Sequence, residues 1–195
     1  MHGVPTMDRM IGLRHMHAEE GDTMTNDLWH RINHIPGWLS RVEAECLQRY
    51  AMGKVCLEIG AYCGRSTVTM GLVANYVVSI DHHKGDEGTG PADTYGVFLS
   101  NILQFFLINR VSARVGDVEQ VGPTLGSEQF DMAFVDGAHD EASVARDLAL
   151  SLRVVRPGGR ILLHDRHYPG VIAAMRTHGV EAVEVAGSIA VCERR

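Results

Sequence analysis

The 195-residue chain has no run approaching the ~20 apolar residues that a membrane span requires. Its opening Met1-His2-Gly3-Val4-Pro5 lacks the apolar segment of a signal peptide. Basic clusters are missing as well. Apart from Arg194-Arg195, no stretch concentrates positive charge, and the formal net charge is -6, which argues against a phosphate-backbone partner. Cys46, Cys56, Cys63 and Cys192 form no Cys-x-x-Cys pair, so reduced, mostly buried thiols are expected, and with them a cytoplasmic location. No internal repeat and no low-complexity linker divides the chain. What remains is an ordinary soluble composition, 45% hydrophobic and 22% charged, long enough for one domain with a full core.

Apolar periodicity predicts alternating strands and helices. Residues 1 to 25, rich in Met and His, have no clear period and read as a mobile arm or a flap over substrate. Asn26 to His34 reads as a helix, so residues 1–34 form an N-terminal arm and helix, and residues 35–195 the main domain. Ser40 with Glu43 is a capping box that opens a helix to about Met52. Strands follow at Val55 to Ile59, Tyr76 to Asp81, Val111 to Val115, Phe130 to Val135 and Arg160 to Leu163. Helices are expected at Ser66 to Ala74, Ala92 to Leu107, Glu141 to Leu152 behind an Asp140 cap, and Tyr168 to Thr177. Glu181 to Val185 and Ser188 to Glu193 flank Ala186-Gly187 as an antiparallel hairpin. The fold class is therefore α/β: one doubly wound, Rossmann-like domain with a mostly parallel sheet and an antiparallel finish. Trp29 and Trp38 are expected in the core, as large aromatics usually are.

The chain is organised around Val55-Cys56-Leu57-Glu58-Ile59-Gly60-Ala61-Tyr62-Cys63-Gly64-Arg65-Ser66. A short apolar run carrying one acid ends in a Gly-x-x-x-Gly turn and feeds a helix, the arrangement by which a parallel strand hands a ligand to a helix N-terminus. Ser66 is placed to cap that helix. Asp81 closes the next strand and can accept hydrogen bonds from a ribose diol, which points to a nucleoside. A dinucleotide loop needs Gly-x-Gly-x-x-Gly so that backbone can touch a pyrophosphate; Tyr62 stands where the second glycine would be. Glu58 suits a cation or a ribose better than a phosphate.

Four strand ends carry acids: Asp81, Asp117, Asp136 and Asp165. In an open sheet they converge on one crevice, where unpaired carboxylates repel and require a cation or a proton. A divalent metal at Asp136 and Asp165 answers that need, and oxygen donors favour magnesium, calcium or manganese. His139, three residues past Asp136, can take a proton near neutral pH. His164 and His167 compete for the roles of third ligand or base. His82 and His83, in the polar loop after Asp81, read as solvated loop histidines.

These residues carry a resemblance. Glu-x-Gly-x-x-x-Gly resembles motif I of the class I S-adenosylmethionine-dependent methyltransferases. Ile35-Pro36-Gly37-Trp38, Gly64-Arg65-Ser66-Thr67, Phe134-Val135-Asp136-Gly137-Ala138-His139, and Arg156-Pro157-Gly158-Gly159 with His164-Asp165 resemble one branch of that class. It is the small metal-dependent O-methyltransferase branch related to macrocin-type sugar enzymes, and the likeness covers about residues 35 to 192. The resemblance implies S-adenosylmethionine held by Glu58, Gly60, Ala61, Gly64, Ser66, Asp81 and Asp136, with Asp117 and Val118 at the adenine. It implies magnesium at Asp136 and Asp165, and His139 as general base. The third ligand varies among relatives; His164 occupies one candidate place and Arg166 another. A sugar hydroxyl, such as the 1-hydroxyl of a short mannoside, is the implied acceptor, with Trp29, Trp38 and Tyr168 able to offer flat apolar faces to it. A catechol-like or other natural-product hydroxyl is the alternative, and a non-catalytic cofactor-binding module a third. A homodimer is expected from the commonness of two-fold pairs.

Overall fold

The computed structural model describes residues 24–85, 90 and 92–195. The expected arm and the centre of the loop after Asp81 fall largely outside these residues.

Seven strands form one sheet in the order β3-β2-β1-β4-β5-β7-β6. They are β1 (Val55–Ile59), β2 (Tyr76–Asp81), β3 (Val111–Val115), β4 (Phe130–Val135), β5 (Val155–Leu163), β6 (Ala182–Ala186) and β7 (Ile189–Glu193). The first five pair in parallel, and β7 runs antiparallel between β5 and β6. The C-terminal pair is therefore the expected hairpin, inserted so that its second strand lies inside the sheet. The strand order reverses between β1 and β4, and a crevice at the carboxyl edge of an open α/β sheet opens at such a point.

Strand alternation splits the interior into two layers. Cys56, Val77, Met132, Phe134 and Leu162 face one core, shared with buried residues of α1 (Asn26–Asn33), α2 (Arg41–Ala51), α3 (Arg65–Gly71) and α4 (Tyr95–Gln104). Leu57, Ile59, Ile80, Val135 and Leu163 face the other, with α5 (Val118–Val121), α6 (Glu141–Val154) and α7 (Pro169–Thr177) packed over them. Helix α1 belongs to the first core: Ile32 is fully buried, and Arg41 donates to the Met24 carbonyl at 2.8 Å and to Asn26 at 2.6 Å. The expected N-terminal helix thus packs on the main body.

Most element expectations hold, and the differences have local causes. Helix α3 starts at Arg65 behind Gly64, whose φ of 89° needs no side-chain cap; Ser66 points inward instead. Helix α4 is shorter than expected, running from Tyr95 to Gln104 between a Thr94 cap and a Phe105 cap. Arg156-Pro157-Gly158-Gly159 is a turn built into β5: the strand pairs Val155 with Phe130, bulges, and resumes at Arg160 opposite Met132. The short helix α5 and the 3₁₀ turn Gly122–Thr124 have too few residues to show a period in sequence. All four cysteines are buried free thiols. No helix among the described residues is long and apolar enough to cross a membrane.

Candidate active site

The glycine turn after β1 is shaped by what it must approach. Gly60 has φ 87°, and a Cβ there would run into the Asp136 carbonyl and lie 2.8 Å from Gly137 N, so the ends of β1 and β4 meet only because this residue has no side chain. Asp81 fixes the rest of the turn. Its Oδ2 accepts from Ala61 N and Tyr62 N, each at 2.7 Å, and its Oδ1 from His83 N at 2.6 Å. A carboxylate offers about four acceptor sites, so one remains for a ligand hydroxyl.

Glu58 has a different task from the one its sequence position implied. It is fully buried, accepting from Ser66 Oγ at 2.6 Å, Ser79 Oγ at 2.7 Å and Thr67 Oγ1. Neither Glu58 nor Ser66 lines the cleft; they tie β1, β2 and α3 together beneath the loop. Burial pushes the Glu58 carboxyl up to about 7, against the pull of those three hydroxyls. Its folded form keeps a proton that the unfolded chain releases near pH ~4.5, so stability falls as pH rises from there to about 7. Glu58→Gln should flatten this dependence: urea unfolding at pH 5 and pH 8 is expected to show a smaller loss in the variant than in the wild type.

A second set of residues lies at the ends of β4 and β5. One oxygen each from Asp136 and Asp165 and one ring nitrogen of His139 fall within 4.8 Å of one another. His139 Nε2 is 2.7 Å from Asp165 Oδ2, yet it is buried and not aligned for a hydrogen bond with any group. Asp165 itself holds φ 53°, an uncommon conformation for a residue with a side chain. Two carboxylates and an imidazole converging on one point match the donor set of a hard or borderline divalent cation, so these residues fit a metal.

His164, expected as third ligand, sits behind the two acids. Its Nδ1 is 3.0 Å from Asp136 Oδ1 and 3.3 Å from Asp165 Oδ2, while Nε2 lies 2.9 Å from Ser188 Oγ. Burial alone would depress His164, but the hydrogen bond and charge of Asp136, with Asp165 and Glu43, outweigh it and raise the imidazole to about 9. Asp136 is itself shifted upward by burial. Behind His164, Glu43 Oε1 accepts from Ser188 N and Oγ, both at 2.7 Å, and its Oε2 from Ser40 N at 2.7 Å. Burial pushes Glu43 up, but these bonds prevail and bring it to about 2. The capping box read in sequence therefore has a second role: the same carboxylate anchors the β6–β7 turn behind His164. Nothing local signals that contact, because Ser188 lies 145 residues away.

Both sets open into one cleft of about 270 Å³. Its walls include Gly60 and Asp81 on one side, Gly116 to Glu119 at the end of β3, and Asp136 to His139 with Ser143, Arg146 and Asp147 of α6. Asp117, Val118 and Asp136 line the cleft, the Ala61 amide is spent on Asp81, and Gly64 sits just outside against Phe98. Trp38 overturns the expectation of burial. It is 70% exposed on the cleft rim, its ring 5.4 Å from that of Tyr62. Arg65 holds it there, donating to the carbonyls of Ile35 at 2.7 Å, Asn33 at 3.0 Å and Leu39 at 3.2 Å. Trp29 is half-buried against the core, and Tyr168 lies 4.7 Å from the His139 ring. His83 is buried between Tyr95 and Phe98 with Nδ1 2.9 Å from Thr94 Oγ1, which gives it a structural task.

Residues 57–166, more than half of the chain, match the family described as Methyltransferase domain. Among solved structures, cofactor-bound Rv0187 from MTB is similar, with TM-score 0.66 and 21% identity over 85% of this chain and 87% of that one. The O-methyltransferase of Bacillus cereus in complex with SAH gives 0.62 and 21% over 83% and 85%. TomG from Streptomyces achromogenes, an O-methyltransferase involved in tomaymycin synthesis and solved with SAM, gives 0.60 and 20% over 84% and 83%. At these identities the structures establish the shared fold.

Proposed function

The chain belongs to the methyltransferase-domain family and is a methyltransferase that draws on S-adenosylmethionine, and from that premise we propose that it methylates a hydroxyl, most suitably one on a sugar, with a divalent metal at Asp136 and Asp165 and His139 as base. The observation that carries this reading is the convergence of Asp165 on Asp136 and His139, which line the same cleft as Gly60 and Asp81. The similar Bacillus cereus and Streptomyces achromogenes proteins are O-methyltransferases, which favours a hydroxyl acceptor.

In this reading the donor's amino-acid part lies against the Gly60–Tyr62 turn, the free acceptor site of Asp81 binds its ribose, and Asp117 and Val118 meet its base. Asp136 and Asp165 hold the metal, which when bound supplies a positive charge that acidifies and orients the acceptor hydroxyl. His139 removes the hydroxyl proton while the oxygen forms its bond to the methyl carbon. The carbon–sulfur bond breaks, and its electron pair stays on a now neutral sulfur. His164, kept in place by Ser188 and Glu43, fixes the two carboxylates at the geometry this requires. Trp38 and Tyr168 present apolar faces beside the reacting group, as saccharide stacking needs. The length and motif order also resemble the mycobacterial methylmannose-polysaccharide 1-O-methyltransferase, so mannosides are the first acceptors to try. Turnover with vicinal diphenols and none with sugars would select the catechol-like alternative.

Calorimetric titration tests the core of the proposal. S-adenosylmethionine should bind the wild type, magnesium should give a separate event, and that event should vanish in Asp136→Ala. Donor binding with no magnesium event in the wild type would eliminate the metal mechanism.

A further inference from the structure

Away from the cleft, the outer face of α4 lies open among the described residues. Thr94 to Asn109, which spans the helix and its exit, contains no charged residue in a chain that is 22% charged. Phe98 and Ile102 turn inward, while Gly96, Val97, Ser100, Leu103 and Gln104 form one exposed stripe at helical spacing. Past the helix end Phe106 and Ile108 are 89% and 52% exposed, and Leu103 is 56% exposed. Clustered apolar exposure marks an interaction surface, and the core of an interface is poor in charge and rich in aromatics.

Phe106 is the residue that a lone copy explains least. It closes the helix in a Schellman motif, in which Leu107 N donates to the Ile102 carbonyl at 2.9 Å and Phe106 N to the Leu103 carbonyl at 3.0 Å. The motif needs a left-handed residue at this point, normally glycine, and Phe106 adopts φ 58° there. A phenylalanine in that place strains the backbone and leaves its ring in water, so within one copy the side chain stabilises nothing. Burial of the ring against a partner offsets both costs.

The face is complementary to itself when two copies meet antiparallel. Its bulk, Leu103 and Phe106, lies toward the C-terminal end, and Gly96, with nothing within 4 Å of where a Cβ would stand, toward the N-terminal end. A two-fold axis near Ser100 therefore sets large groups of each copy against the small ones of the other. The uncharged stretch is bounded by opposite charges, Asp93 before it and Arg110 after it. Both are exposed, and neither forms an ion pair among the described residues. The antiparallel arrangement brings each Asp93 toward the partner's Arg110. The chain carries a net charge of -6, so a second copy meets least repulsion where charge is absent or paired in this way.

We propose that the exposed face of α4, anchored by Phe106, seats a second copy of this chain, with the two α4 helices antiparallel across a two-fold axis.

Sedimentation velocity on the full chain between ~1 and ~100 µM should show a monomer–dimer equilibrium. Phe106→Asp and Leu103→Glu, which put a charge into the apolar contact, are each expected to weaken the dimer at least ~30-fold. Phe106→Gly removes the ring and the strain together. It should weaken the dimer ~10-fold or more, yet melt at or above the wild type at dilutions where both are monomeric. A side chain kept only for the fold of one copy would lower that melting temperature instead. Asp93→Arg and Arg110→Asp should each weaken the dimer ~5-fold, and the double variant should restore it. A wild type that stays monomeric throughout, or a dimer indifferent to Phe106→Asp and Leu103→Glu, would overturn the proposal. A double variant no better than either single one would overturn the antiparallel arrangement.

Discussion

His139→Ala should lower turnover by ~10²-fold or more while S-adenosylhomocysteine affinity stays within ~2-fold of the wild type. The first effect follows from the place of the imidazole, held beside Asp165 and Tyr168 at the open face of the two acids. The second follows from the donor-binding parts of the cleft, which lie on β1, β2 and β3 and do not depend on it. The same variant separates the two roles that the geometry allows this ring. A base contributes a rising limb to the pH profile, so its loss removes that limb and leaves magnesium affinity nearly unchanged. A ligand contributes to the metal, so its loss weakens magnesium binding ~10-fold or more, as loss of a metal partner typically does. A variant that turns over at the wild-type rate would sink both roles.

Gly60→Ala should unfold the site and destabilise the whole protein. The added methyl would be driven into the Asp136 carbonyl and to 2.8 Å from Gly137 N, both backbone atoms that move only if β4 moves. The φ of 87° adds the strain of a left-handed residue. Together these effects belong to the large end of single-substitution costs, ~3 kcal/mol or more. For a domain of this size that means a fall of roughly 6–12 °C in melting temperature. Gly53→Ala isolates the clash from the strain, since Gly53 has φ 68° but nothing within 4 Å of a Cβ. It should cost only about 1–2 kcal/mol and leave S-adenosylhomocysteine binding alone, whereas Gly60→Ala should abolish it. Equal melting temperatures for the two variants would show that the close approach of β1 to β4 does not matter.

The sequence alone determined the architecture of this protein. Strand-length apolar runs such as Tyr76 to Ile80 alternate with helical periods, and Ser40 with Glu43 marks one helix start through contacts only three residues apart. Such signals are local, and a parallel sheet with its crevice at the carboxyl edge follows from them by the rules of chain connection. The acids at the strand ends could be placed in one cleft for the same reason. Which way each side chain points, and what it is free to do there, was decided by packing between residues far apart in the chain. Glu58 and Ser66 carry the right pattern for a ligand contact but spend it on each other under the loop. Trp38, apolar enough for the core, is held at the cleft rim by an arginine 27 positions later in the chain. His139, rather than His164, joins the two acids at the open face, because Ser188 and Glu43 secure His164 behind them. Asp147 looks in sequence like any polar residue of a helix; only the tertiary structure buries it in the cleft wall, because only there do α6 and Gly137 meet.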